Sequence, residues 1–201
     1  MIRFMMWSVV FIFVAGCSSP ANKTQFYTLS KQAKQTQLIE SQQASNLIVI
    51  ENIHLADYLR QSGIVVKESG SRLQISTHHR WAESLDGALS RSLRSEVESK
   101  LDNYRIELVN SQWQALAKFT IKLEIAQFEV DNSNGNAVHS GRYWILNDKG
   151  ALLGQRRFNL TLTLNNNGFE HAVKQLQNSV VQLAELLSKD ILQLEQLSLN
   201  D

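Results

Sequence analysis

The residue best suited to covalent chemistry is Cys17, the only cysteine in the 201-residue chain. It directly follows Ala15 and Gly16, and a signal peptidase needs small residues of this kind before its cut. Arg3 supplies the positive charge, and residues 4–14 supply the apolar stretch, of an export signal. A lone cysteine is unusual in an exported domain, where cysteines are paired or avoided. The sequence therefore predicts lipid attachment at Cys17.

The motif Val14-Ala15-Gly16-Cys17 resembles a bacterial lipobox. In lipoproteins of that kind the cysteine sulfur takes a diacylglycerol, the chain is cut before the cysteine, and the new amino group is acylated. In lipoproteins of enterobacterial type an aspartate after the cysteine favours the inner membrane, and position 18 here is serine. The resemblance thus implies the inner leaflet of the outer membrane, with the folded domain in the periplasm.

An ordinary secretory signal or an N-terminal membrane anchor is the alternative reading of residues 1–16. A membrane-spanning helix needs about 20 predominantly apolar residues. The apolar stretch here is shorter, and Ser18, Ser19 and Pro20 follow Cys17 at once. The sequence therefore favours a lipid anchor over a transmembrane helix.

The other reactive side chains form no recognisable catalytic or metal-binding pattern. His78 and His79 are adjacent, so in a strand they would point to opposite faces, and the other three histidines have no ligand spacing. Glu83 and Asp86 could act as an acid–base pair, but negative charge is expected where a helix begins. The sequence contains no GxSxG, HExxH, P-loop or dinucleotide motif. We therefore expect no enzyme, no metal and no cofactor.

The composition favours one electrically neutral domain. Without residues 1–16 the chain has 185 residues, enough for a sizeable core, and its 19 Lys and Arg balance its 19 Asp and Glu. This balance does not indicate nucleic acid as a partner. We predict a signal peptide at 1–16, a lipidated tether at 17–45 and one α+β domain at 46–201.

The predicted tether is rich in Gln, Ser, Lys and Thr, a composition typical of a flexible segment that lets a domain stand away from a membrane. An apolar cluster at 26–29 interrupts it and predicts a short strand that pairs with the domain. Residues 47–50 predict a buried strand, because they are apolar and β-branched. Residues 63–67 and 72–76, with turn-forming residues between them, predict a hairpin.

Two amphipathic helices are predicted. Leucine or valine recurs at every fourth position from Leu85 to Leu101, which predicts a helix of about five turns. A second helix is expected after Gly168, and its apolar stripe includes Leu187. We favour contact of this stripe with the sheet over a free coiled coil, because only three heptads are sustained.

A three-stranded antiparallel meander is predicted between the helices, after a strand at 104–109. Apolar residues alternate from Phe119 onward, and their phase shifts near Ala126 and Gln127, as at a β-bulge. Return strands are expected at 138–146 and 152–164. The fold class predicted is a single α+β domain, mainly an antiparallel sheet covered by two amphipathic helices.

Several motifs occur in a defined order along the chain. They are the lipobox, the Phe26-Tyr27-Thr28-Leu29 cluster, Asp57-Tyr58-Leu59 with Gly63-Ile64-Val65, Trp81-Ala82-Glu83-Ser84-Leu85 with Arg91 and Leu93, and Phe128 with Gly141, Trp144 and Gly150. In this order they resemble the ABC-transport auxiliary lipoproteins nearly end to end. Ala56 and Ser84 stand where family members commonly have proline, so the loop before Tyr58 is less restricted here.

The resemblance implies a periplasm-facing outer-membrane lipoprotein that docks an MCE-domain (PqiB-like) lipid-transport assembly reaching from an inner-membrane permease. It also implies a role in binding without catalysis, and self-association into a ring. The candidate partner-binding residues are Tyr58, Leu59, Phe26 and Tyr27, because aromatic residues on loops often anchor interfaces. Capping one end of the core is the alternative role of Tyr58 and Leu59.

Two other functions remain open from the sequence. One is a periplasmic carrier that holds a phospholipid or another hydrophobic ligand between the last helix and the sheet. The other is an assembly or quality-control lipoprotein for outer-membrane proteins, a class that shares the anchor but not the Trp81 and Phe26-Tyr27 motifs.

Overall fold

Residues 23–29 and 46–198 are described by the computed structural model, and they form nine strands and three α-helices. In chain order these are β1 (Gln25–Tyr27), β2 (Leu47–Ile50), β3 (His54–Leu55), β4 (Gly63–Lys67), β5 (Leu73–Trp81), α1 (Leu85–Glu98), β6 (Arg105–Leu108), α2 (Ser111–Gln114), β7 (Phe119–Asp131), β8 (Asn136–Asn147), β9 (Leu152–Thr163) and α3 (Phe169–Ser198). The predicted signal peptide, Cys17 and most of the predicted tether lie outside the described residues. None of the helices described is long and apolar enough to cross a membrane.

Strand β7 organises the sheet. One of its edges pairs with β8, which pairs with β9, and both pairings are antiparallel. Its other edge is shared by β2, β3 and β4, which follow one another along it and run parallel to it. The sheet continues from β2 to β6 and from β4 to β5 and β1, so two wings diverge beside β7. The longest pairings are antiparallel, and the predicted fold class is confirmed.

A β-bulge interrupts β7 at the position that the sequence predicts. The register with β8 shifts between Ile125 and Gln127, so Ile125 and Phe128 both face the core although they are three residues apart. Gly141 lies opposite Ile125, and a Cβ atom there would overlap the carbonyl oxygen of Glu124. Glycine is therefore required where the two backbones approach closely.

Helices α1 and α3 cover one face of the sheet. The stripe of α3 is at most 2% exposed at Leu176, Val180, Leu183, Leu187 and Ile191. These residues pack in one core with the apolar side chains of β7 and β8, so the predicted contact between helix and sheet is confirmed.

Helix α1 ends at Glu98, one turn earlier than predicted. The N–H of Lys100 bonds the carbonyl of Val97 at 3.0 Å, which tightens and closes the last turn. Leu101 follows the helix and is still buried at 3% exposure. Its side chain therefore continues the apolar pattern without belonging to the helix.

Helix α2 was not expected from the sequence. It begins after Asn110, whose side chain accepts a hydrogen bond from the N–H of Trp113 at 2.8 Å. Trp113 packs against a small second core that contains Leu47 and Val49 of β2. The helix is only four residues long, too short for a periodic signal.

A partly buried carboxylate, that of Asp190, ties α3 to β8 and β9. The Tyr143 hydroxyl donates to Asp190 Oδ2 at 2.6 Å, and Arg156 donates through Nε and Nη2 to both Asp190 oxygens at 2.7 and 2.6 Å. Burial alone would raise the pKa of Asp190, but the hydrogen bonds from Arg156 and Tyr143 lower it overall. The carboxylate therefore stays ionised where α3 meets the sheet.

Candidate partner-binding sites

Strand β1 is fixed on the domain, although it lies in the segment predicted as a tether. Its three residues pair in parallel with residues 79–81 of β5. The Tyr27 carbonyl accepts a hydrogen bond from the N–H of Ala82 at 2.8 Å, and the Tyr27 hydroxyl lies 2.9 Å from His79 Nδ1. The His79 ring stacks on Phe169 of α3 with ring centroids 3.9 Å apart. The short strand predicted from the 26–29 cluster is thereby confirmed.

The strand register brings the Phe26-Tyr27-Thr28-Leu29 cluster close to Gly63, which belongs to the motif that contains Tyr58 and Leu59. Phe26 lies beside Arg80, and Gly63 lies beside Arg80 on the other side. Because neighbouring strands are about 4.8 Å apart, Phe26 and Gly63 are separated by about 10 Å. The 3₁₀ turn Asp57–Arg60 ends just before Gly63. We call Phe26, Arg80 and the exposed Asp57 and Arg60 the Phe26 patch.

The four candidate partner-binding residues differ in exposure. Phe26 is 63% exposed, whereas Leu59 is 1% exposed and packs in the main core. Tyr27 and Tyr58 are partly buried and pack against that core. Phe26 is thus the one of the four that exposes most of its side chain to solvent.

Tyr58 braces the β-bulge of β7. Its hydroxyl lies 2.9 Å from the carbonyl oxygen of Ala126 and 2.8 Å from Glu129 Oε2, and it can donate to either. Burial raises the pKa of Tyr58, and the hydrogen bond to the Glu129 carboxylate raises it further. These contacts favour the core-capping role of Tyr58 and Leu59, and a docking role for these two residues stays a prediction.

A groove with a volume of about 830 Å³ opens beside the N-terminus of α3, a size usual for ligand sites. Its lining mixes apolar and polar side chains and includes Lys23, Val66, Gln74, His78, Leu164 and Phe169. The full lining comes from five separate segments of the chain, at 23–25, 66–68, 74–79, 130–135 and 164–172. No local pattern could therefore have identified the groove from the sequence.

The titratable residues considered for chemistry are exposed to solvent or are engaged by neighbouring side chains. Within residues 23–29 and 46–198, no three His, Cys, Asp or Glu side chains form a group that could hold a metal ion. Glu83 forms an ion pair with Arg91 of α1. His78 is exposed, while His79 is engaged by Tyr27 and Phe169.

The sequence and the fold were compared with known proteins. A family model described as the ABC-type transport auxiliary lipoprotein component matches residues 27–187. The chain belongs to this family. The match begins within β1 and ends within α3, so it includes the Phe26 patch except for Phe26 itself, and most of the groove.

Curated relatives within this auxiliary lipoprotein group are similar over almost their whole length. The chain is 28% identical over 184 residues to the intermembrane transport lipoprotein PqiC of Escherichia coli (strain K12), which is 92% of this chain and 95% of that protein. PqiC of Shigella flexneri matches with the same identity and coverage. The recognition of a PqiC-like family from the order of motifs is confirmed.

Solved structures support the auxiliary lipoprotein fold. Protein XCC0632 from Xanthomonas campestris superposes with a TM-score of 0.68 at 15% identity, covering 89% of this chain and all of that one. A crystal structure of an uncharacterized protein gives a TM-score of 0.70 at 22% identity and covers 84% of this chain and 99% of that one. At these identities the likeness concerns the fold alone.

Proposed function

We propose that this chain is the lipid-anchored, non-catalytic subunit of an intermembrane lipid-transport system of the ABC type. It stands on the periplasmic face of the outer membrane and docks an MCE-domain (PqiB-like) assembly there. The observation that carries this proposal is the family match over residues 27–187, joined to 28% identity with intermembrane transport lipoproteins over 92% of the chain. The lipobox at Cys17 supplies the anchor.

The Phe26 patch is the proposed docking surface. A partner that covers the exposed Phe26 side chain removes apolar surface from water, which favours binding. Aromatic residues are also frequent interface hot spots. Asp57 and Arg60 form an exposed ion pair with the guanidinium Nε 3.6 Å from the carboxylate. Such charges at the rim of an interface give specificity without contributing much to folding stability.

The docking proposal is tested with Phe26→Ala in the lipidated chain. We expect the affinity for the MCE-domain partner, measured by co-purification and biolayer interferometry, to fall at least about tenfold, as for an interface hot spot. The melting temperature should stay unchanged, because Phe26 contributes little to the core. Leu116→Ala is the matched control, since Leu116 is 60% exposed and lies beyond α2. Unchanged partner affinity in Phe26→Ala would remove the patch from the docking surface.

Self-association into a ring is part of the proposal. Among the described residues, β9 pairs with β8 alone, so its second edge offers unpaired backbone groups to another copy. Native mass spectrometry of the soluble domain should show one closed oligomer. A monomer at every concentration would contradict the ring.

A lipid carrier is the second candidate function, and the groove favours it. The stripe of α3 packs directly on the sheet, so a phospholipid would lie in the groove rather than along the helix. Near-stoichiometric phospholipid in mass spectra of the purified soluble domain would support a carrier. Its absence would leave docking as the function.

A further inference from the structure

We propose that the sheet end that bears the groove rests on the phospholipid headgroups of the membrane, held there by a short tether. This inference relies on acylation of Cys17, which belongs to the proposed function. The bilayer surface is the occupant to which the proposal commits.

The first observation is the place where the chain enters the domain. Lys23 lines the groove, because β1 runs parallel to β5 and the chain enters β1 from the side of β5 that lines the groove. Lys23 lies six residue steps after Cys17, and a fully extended chain covers at most about 3.6 Å per residue. The Cα atom of Lys23 therefore lies within about 22 Å of an acylated Cys17.

This reach changes the role of the tether. With the domain starting at residue 46, a 17–45 tether would let it stand up to about 100 Å from the membrane. Because β1 is paired and hydrogen-bonded on the domain, both ends of the segment at 30–45 belong to the domain, and the length of that segment adds nothing to this distance. The groove end is thus confined near the bilayer.

The second observation is that five strands of the sheet end side by side at the groove. One row of register partners crosses five strands through Leu73, Lys67, Asp131, Asn136 and Thr163. The loops beyond this row, at 68–72, 132–135 and 164–168, carry mainly Asn, Ser and Gly. Amide and hydroxyl groups bond phosphate and glycerol oxygens without requiring a fixed charge, which suits a neutral domain against a headgroup layer.

The opposite end of the meander provides a control position. Lys149 lies in the exposed turn after β8, whereas Asn166 lies in an exposed loop at the groove. Eleven residue steps along β8 separate the two ends, which is about 36 Å. Acylation also leaves Cys17 without a free thiol, so a cysteine introduced elsewhere is labelled selectively.

The test uses the lipidated chain on vesicles of phosphatidylethanolamine and phosphatidylglycerol that contain a headgroup-spin-labelled phospholipid. Asn166→Cys and Lys149→Cys are each labelled with a fluorescent dye. We expect loss of emission at position 166 and none at 149. A twenty-residue Gly/Ser insertion after Pro20 should restore emission at position 166.

The outcomes separate this inference from the proposed function. Equal emission loss at both positions, or a loss at 166 that survives the insertion, would overturn the tethered orientation. A chain that does not float with the vesicles would instead refute the lipid anchor, and with it the proposed function.

Discussion

His139 makes the stability of the domain depend on pH. It is completely buried, and it donates from Nδ1 to Ser179 Oγ at 3.0 Å, because the Ser179 hydroxyl itself donates to the Leu176 carbonyl. Its Nε2 atom has no hydrogen-bond partner within the part of the chain that the structure describes, and the imidazole ring lies nearly perpendicular to the rings of Phe128 and Phe158. Burial lowers the pKa of His139 from 6.5 to about 3. The ring is therefore neutral in the folded domain.

The sign of the pH effect follows from this lowered pKa. Between pH 6.5 and about 3 the unfolded chain binds a proton at His139 and the folded domain does not, so the free energy of unfolding falls as the pH falls. The slope is about 1.4 kcal/mol per pH unit for one such group. We expect urea denaturation of the soluble domain to show a loss of about 2 kcal/mol between pH 7.5 and pH 5 from this residue.

Substitution of His139 isolates its contribution. In His139→Gln the pH dependence above pH 5 should flatten, because the side-chain amide donates to Ser179 but does not titrate. The exposed His54→Gln should keep the wild-type dependence. An equal slope in wild type and His139→Gln would mean that another group causes the acid sensitivity.

At the scale of elements, α3 is the main cover of the meander. Leu187 is completely buried in its stripe, so Leu187→Ala should lower the free energy of unfolding by about 2–5 kcal/mol in denaturant titrations. Leu192 lies on the same helix and is 44% exposed, so Leu192→Ala is the matched control with little effect. A domain truncated after Gly168 that stays folded would show that the helix is dispensable.

Also at the scale of elements, the β-bulge of β7 holds the 3₁₀ turn at 57–60 through Tyr58. The bulge at Ile125 and Gln127 leaves the Ala126 carbonyl free of the β8 ladder, and the Tyr58 hydroxyl lies within bonding distance of it. The turn is thereby fixed on the sheet, and Asp57 and Arg60 lie exposed on it. A rigid position of this kind lowers the entropy cost of binding a partner.

At the scale of the whole molecule, we expect acylation of Cys17 to place the domain at its membrane. Cys17→Ala should abolish labelling by an alkyne-palmitate probe and leave the protein uncleaved or soluble. Ser18→Asp should move the protein toward the inner-membrane fraction of a sucrose gradient in a bacterium with enterobacterial sorting. Labelling that persists without Cys17, or an unchanged gradient profile with Ser18→Asp, would argue against outer-membrane anchoring by this route.

The sequence by itself determined the elements whose signals are local. Period-two alternation with one phase shift predicted β7 and its bulge, and the apolar stripes predicted α1 and α3. The order of motifs likewise indicated the family. The helices and strands can be predicted because their backbone repeat places the buried side chains on one face, which leaves a periodic pattern in the sequence.

Tertiary structure alone decided the pairing of distant segments and the exposure of each side chain. The parallel pairing of β1 with β5, and of β2, β3 and β4 along β7, depends on contacts across many residues, to which no local pattern corresponds. Leu59 and Phe26 are both apolar residues in short motifs, yet one is buried and the other exposed because of the strands that surround them. The groove likewise exists only where five chain segments meet. Burial is a property of the assembled fold, and the sequence specifies it only through that fold.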